Sequence, residues 1–159
     1  MNELAFLSPD DAQDDGFAPR AASPLARALA GSEIVDLSLR GKLEVRGSVD
    51  EIDVDADVIP ITPERALVVC DPGRVGTLRP RLPGVVVDVT AALAGIEVEG
   101  EPLMRRVTDL ALDRLPAAAK VGDVAALVAR DGNRFRIFFA QEYGDSVVAT
   151  VRDVQEGLR

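Results

Sequence analysis

The sequence predicts an α+β protein: a duplicated, strand-rich unit with short helices and mostly antiparallel sheets. Three observations carry that expectation. From Ile34 onward apolar and polar residues alternate with period two. A turn-and-strand pattern at 36–47 returns at 88–100. Pro80, Pro83 and Pro116 stop helices before they grow long. The repeat is the most informative of the three: Asp36-Leu37-Ser38 followed by Lys42-Leu43-Glu44-Val45-Arg46-Gly47 reappears as Asp88-Val89-Thr90 followed by Gly95-Ile96-Glu97-Val98-Glu99-Gly100. Further on, Glu64–Val69 matches Asn133–Phe138 at a larger offset, so the second copy carries an insertion of about one helix, supplied by 102–115. Chance likeness between short Val-rich strands is the rival explanation. A true duplication places both copies around one core, with a cleft or partner surface between them.

The 159 residues suffice for one domain with a full core. Residues 1–22 hold Glu3, Asp10, Asp11, Asp14 and Asp15 against one Arg, with few bulky apolar groups, and read as a flexible acidic tail. The remainder, 23–159, is expected to form one domain of two repeats, about 34–83 and 84–155.

Taken in order, Ser23-Pro24 pairs an N-cap with a first-turn proline and predicts a short helix through Leu25 and Leu29 to Gly31. Leu37 and Leu39, Leu43 and Val45, then Ile52, Val54, Ala56 and Val58 alternate as strands. The continuous run Arg65–Cys70 reads as a central strand. Asp71-Pro72 opens a brief helix over roughly 72–80. Val85–Val87 and Gly95–Val98 are strands, and Glu101-Pro102 starts a helix whose Leu103, Val107 and Leu110 share a face. Val124–Ala129 and Arg134–Phe139 flank Arg130-Asp131-Gly132-Asn133, a hairpin signal. A last helix over about 142–155 aligns Val147, Val151 and Val154.

Composition closes several functional classes. There are 18 Lys plus Arg against 27 Asp plus Glu, a net charge of −9, which disfavours nucleic acid and anionic membranes as partners. Histidine is absent, which removes His-ligated zinc and the Ser-His-Asp and Cys-His constellations. The single cysteine, Cys70, has no internal disulfide partner and reads as a buried structural thiol. With no apolar run of spanning length, a soluble, cytoplasmic protein is expected. Asp53, Asp55, Asp57 and Glu64 have the spacing of a calcium loop, but its sixth position must be Gly and is Val58, so they read as the polar face of an edge strand.

The second half, from VVVDVTAALAGIEVEGEPLMRRVTDLALDRLP through RFRIFFAQEYGDSVVATVRD, resembles the folate-binding fold of the glycine-cleavage aminomethyltransferases. The shared features fall on Asp88, Thr90, Gly100, Thr108-Asp109-Leu110, Leu115-Pro116 and Arg134-Phe135. The order from Ser23-Pro24 through Leu39-Arg40-Gly41 to Ile61–Leu67 looks most like the sarcosine oxidase gamma subunit. The resemblance covers about 23–155. It implies two interlocked β-α-β units. It implies further a non-catalytic small subunit or binding module docking on a larger folate- or flavin-dependent oxidoreductase subunit. The first alternative is a small tetrahydrofolate-dependent aminomethyl transferase; the second is a stand-alone scaffold or regulatory domain contacting its partner through the acidic tail. Asp123-Val124 stands where the aminomethyltransferases carry an Asp-Asp pair, so Asp123 is the candidate carboxylate for one-carbon chemistry; a catalytic Asp123 would have its pKa raised by burial, while a surface Asp beside Gly122 is otherwise a routine turn residue. Arg105, Arg106 and Arg134 are candidates for a folate glutamate tail or an acidic partner. Phe135, Phe138, Phe139 and Tyr143 gather most of the aromatic surface: Phe135 and Phe139 share one strand face with Ile137, and Phe138 points to the other, which leaves one face for an interface.

Overall fold

The computed structural model describes residues 21–158. The acidic tail expected over 1–22 lies, but for its last two residues, outside the described residues. The first copy contributes β1 (Val35–Asp36), β2 (Gly41–Arg46), β3 (Asp57–Thr62), β4 (Arg65–Cys70) and the short helix α1 (Val75–Leu78). The second contributes β5 (Val85–Asp88), β6 (Leu93–Glu99), α2 (Glu101–Val107), β7 (Ala117–Val121), β8 (Val124–Asp131), β9 (Arg134–Ala140) and α3 (Gly144–Glu156).

The strands form two sheets, in the orders β3-β4-β2-β5 and β1-β6-β9-β8-β7, and every pairing is antiparallel. Each copy gives its first strand to the other's sheet: β1 pairs with β6, and β5 pairs with β2. That exchange is the interlock. Register confirms the duplication residue by residue, since Lys42 faces Val69 where Gly95 faces Phe138, and Arg46 faces Arg65 where Glu99 faces Arg134.

Period-two alternation sorts the side chains into layers. Leu43, Val45, Val68 and Cys70 face outward against Leu78 and Leu82 around α1. Ile59, Leu67 and Val69 meet Ala129 and Phe138 between the sheets. Ala94, Ile96, Val98, Phe135, Ile137 and Phe139 face α2 and α3, which present Leu103, Met104, Val107, Val147, Val148 and Val151. Each fully buried Phe contributes roughly 1.5–3 kcal/mol relative to an exposed one, so the helix-facing layer is the largest source of hydrophobic stability.

Five local expectations change. Leu37 and Leu39, expected in a strand, lie in the turn between β1 and β2. Residues 24–31 form turns rather than a helix, with one helical bond, Leu29 N–H to the Leu25 carbonyl at 2.9 Å. So short a segment does not repay helix nucleation, and Gly31 at φ +71° ends it. Residues 52–56 join no sheet, yet Ile52, Val54 and Ala56 pack on the outer face of the first sheet, so the alternation marks one-sided burial without a ladder. The helix α2 stops at Val107 because Thr108 is extended, which leaves Leu110 outside it. Finally, the insertion in the second copy runs past 115 and supplies a fifth strand, β7, as well as a helix.

Candidate functional site

The two crossovers meet where the copies exchange strands, and they are built alike. Asp36 accepts the Ser38 N–H at 2.8 Å, and Asp88 accepts the Thr90 N–H at 2.9 Å, as side-chain turns. The Leu37 N–H donates to the Gly95 carbonyl at 2.8 Å, and the Val89 N–H to the Lys42 carbonyl at 2.9 Å. The Ser38 hydroxyl accepts from Gly95 N–H at 3.3 Å where the Thr90 hydroxyl accepts from Lys42 N–H at 3.0 Å. Asp36 and Asp88, expected as turn residues, hold that role here.

The symmetry breaks at one position. Gly95 has no room for a side chain, since a Cβ there would lie 2.8 Å from the Phe138 ring. Its counterpart Lys42 is fully buried, and its Nζ donates to the carbonyls of Ser38 at 2.7 Å, Arg40 at 2.8 Å and Thr90 at 3.4 Å. One amine thus ties both crossovers together. Burial lowers its pKa from 10.5 to about 8, against the pull of Asp36 and Asp88.

A second feature is an open depression of about 550 Å³ at the end of α2 and the β7–β8 turn. Arg106, Asp109, Lys120 and Asp123 supply its charged lining, and Gly122 N–H to the Val107 carbonyl, at 2.7 Å, holds the two walls together. Asp123 is exposed on the turn. The structure therefore brings together Arg106 and Asp123. It does not bring Arg105 or Arg134 to them: Arg105 is paired with Glu101 at 2.6 Å, and Arg134 with Asp131 and Glu97 at 3.6 and 3.8 Å. Hydrogen bonds from Arg105 and then Arg130 hold the Glu101 carboxyl below its ordinary range.

Phe135 and Phe139 lie in the helix-facing core and Phe138 between the sheets, all closed to solvent, while Tyr143 is 49% exposed ahead of α3. Asp57 pairs with Arg136 across the two sheets. No group of three or more His, Cys, Asp or Glu side chains among the described residues is placed to hold a metal. Cys70 is buried, and burial pushes its thiol pKa up. Alkylation of the native thiol is expected to run on the order of a hundredfold slower than in the urea-unfolded chain, because reaction requires displacement of the α1 segment packed over it. Equal rates in the two states would show Cys70 to be accessible.

Two residues of this geometry escaped sequence reasoning. Lys42 stood aligned with Gly95 in the repeat, and a charge set against a glycine was the available signal. Arg136 carried no signal beyond an ordinary charge on a strand.

The class that emerges is a duplicated α+β fold in which two units trade their first strands. Among solved structures, a chain of heterotetrameric sarcosine oxidase from Corynebacterium sp. U-96 shares this fold, with a TM-score of 0.72 at 17% identity over 86% of this chain and 95% of that chain. The regulatory subunit of aspartate kinase from Thermus thermophilus is a more distant likeness, with a TM-score of 0.51 at 11% identity over 77% of this chain and 97% of that one. No protein-family model and no curated protein sequence matches. Among the described residues no helix is long and apolar enough to cross a membrane.

Proposed function

We propose that this chain is a non-catalytic small subunit of the sarcosine oxidase gamma type, docking on a larger folate- or flavin-dependent oxidoreductase. The observation that carries the reading is the extent of the likeness: the match takes in 86% of this chain and 95% of a chain from a heterotetrameric oxidase. The inventory of reactive groups supports it, since histidine is absent, Cys70 is buried with a raised pKa, and the Lys42 amine is held by carbonyls inside the fold. Purification of the native protein followed by mass spectrometry tests it. A stoichiometric complex with a large oxidoreductase subunit is the expected result, and a clean monomer overturns the reading.

One observation favours a second reading, a tetrahydrofolate-dependent aminomethyl transferase: Arg106 and Asp123 line the same depression. Calorimetric titration with tetrahydrofolate separates the two. The subunit reading expects no heat at millimolar ligand, whereas binding abolished by Asp123→Asn supports the transferase.

A further inference from the structure

The four sheet edges are not protected alike. Edge strands invite pairing by other chains, and proteins guard them with shortness, proline, bulges or lysine. Here β1 has two residues, β3 carries Pro60 with an irregular register beside Thr62, and β7 carries an exposed Lys120. The remaining edge, β5, reads Val85-Val86-Val87-Asp88: it is four residues long and carries no proline, bulge or lysine.

Its apolar side chains are also uncovered. Val86 packs on the outer layer with Val45, so Val85 and Val87 project to the inner face. They are 62% and 40% exposed. Val35 on β1, the counterpart of Val87 in the other copy, is 50% exposed. Arg79 and Arg81, just ahead of β5, are exposed and form no close salt bridge among the described residues, and the charge of Arg79 also acts on Asp88 at the end of β5. A chain of net charge −9 thus places two exposed arginines beside the sheet edge that has no proline, bulge or lysine.

The backbone specifies the kind of occupant. The Val89 N–H points to β2 by its bond to the Lys42 carbonyl, and antiparallel ladders alternate. Val87 and Val85 therefore bond inward, and the N–H groups of Val86 and Asp88 point outward. We propose that β5 accepts an added strand from the partner subunit, an extended segment in which apolar residues meeting Val85 and Val87 alternate with acidic residues meeting Arg79 and Arg81. The proposal deepens the docking reading and rests on it.

The probe is an acetylated, amidated heptapeptide of alternating glutamate and valine, added to the full chain and followed by hydrogen exchange at single amides. The expected result is protection of the Val86 and Asp88 amides, with binding at least tenfold weaker when lysine replaces glutamate, although the net charge of the protein favours the lysine peptide. The double variant Arg79→Glu/Arg81→Glu reverses that order, and Val86→Pro, which deletes an outward donor, removes binding of both peptides. Several outcomes overturn the proposal: no protection at millimolar peptide, protection at β3 or β7 instead, equal affinity for both peptides, or Val86 already protected without peptide by a second copy or by residues 1–20. Where Val86→Pro fails to fold, the double arginine variant decides alone, its surface charges lying outside the core. The native complex separates this proposal from the docking reading: a complex that forms equally well with wild type and with the arginine variant retains docking and removes the β5 edge, while absence of any complex removes docking itself.

Discussion

Gly84→Ala is expected to destabilise the protein by about 3–4 kcal/mol and to lower its melting temperature by roughly 10 °C. Gly84 opens β5 at φ +68°, in the left-handed region, where a Cβ alone costs on the order of 1 kcal/mol. The greater cost is steric. A Cβ at this position would run into the Arg46 carbonyl oxygen and lie 3.0 Å from both the Arg46 carbonyl carbon and the Gly47 Cα. Every one of these atoms is backbone, so no rotamer change relieves the contact. Gly47 is the reciprocal half of the approach, since a Cβ built on it would lie 3.2 Å from the Gly84 Cα. The two glycines let β5 of the second copy lie against β2 of the first, and the substitution therefore acts on the interlock itself. Gly76→Ala is the control, since α1 leaves open space around Gly76, and a gain of a few tenths to about 1 kcal/mol is expected there. Urea titration of both variants checks the contrast, and a Gly84→Ala midpoint within error of wild type would mean that β5 is not seated on β2 as described.

Much of this architecture is legible in the sequence because it rests on local chemistry. The Asp-x-Ser/Thr turns at 36 and 88 hold themselves together through side chains two residues away, so they keep their meaning without tertiary context. The hairpin around Gly132 and the valine stripe of α3 are legible for the same reason. What the sequence conceals are long-range choices. The strand exchange depends on a four-residue crossover between β1 and β2, and β1, at two residues, is too short to carry a pattern. The alternation at Ile52, Val54 and Ala56 is real, but alternation reports which side is buried and is silent on whether a neighbour completes the ladder. At the depression, Arg106 and Asp123 come from different elements, the end of α2 and the β7–β8 turn, and are joined by the Gly122 to Val107 bond. Nothing in either segment alone announces that bond. The aromatic cluster shows the converse: Phe135, Phe138 and Phe139 stand out in the sequence for their bulk, and bulk is what the two interior layers consume.

The buried amine of Lys42 makes the strongest prediction about pH. In the folded protein its pKa is about 8, and unfolding returns it to 10.5. The unfolded state therefore binds the proton more tightly, so stability is lowest where both states are protonated and rises as pH climbs from about 8 to 10.5. A difference of that size corresponds to about 3 kcal/mol. Other groups titrate in the same window: Cys70, with its raised pKa, ionises first in the unfolded chain and pulls stability the opposite way. Comparison with Lys42→Met cancels that contribution, because Cys70 is common to both proteins. The expected result is a gap between wild type and variant that moves in favour of wild type by about 3 kcal/mol between about pH 7 and about pH 11, measured by urea titration. Parallel pH curves would show that Nζ is hydrated and that the carbonyls of Ser38, Arg40 and Thr90 do not enclose it. The same enclosure explains why the copies differ at this point: a side chain fits only on the Lys42 side, and the donors it carries satisfy carbonyls from both crossovers at once.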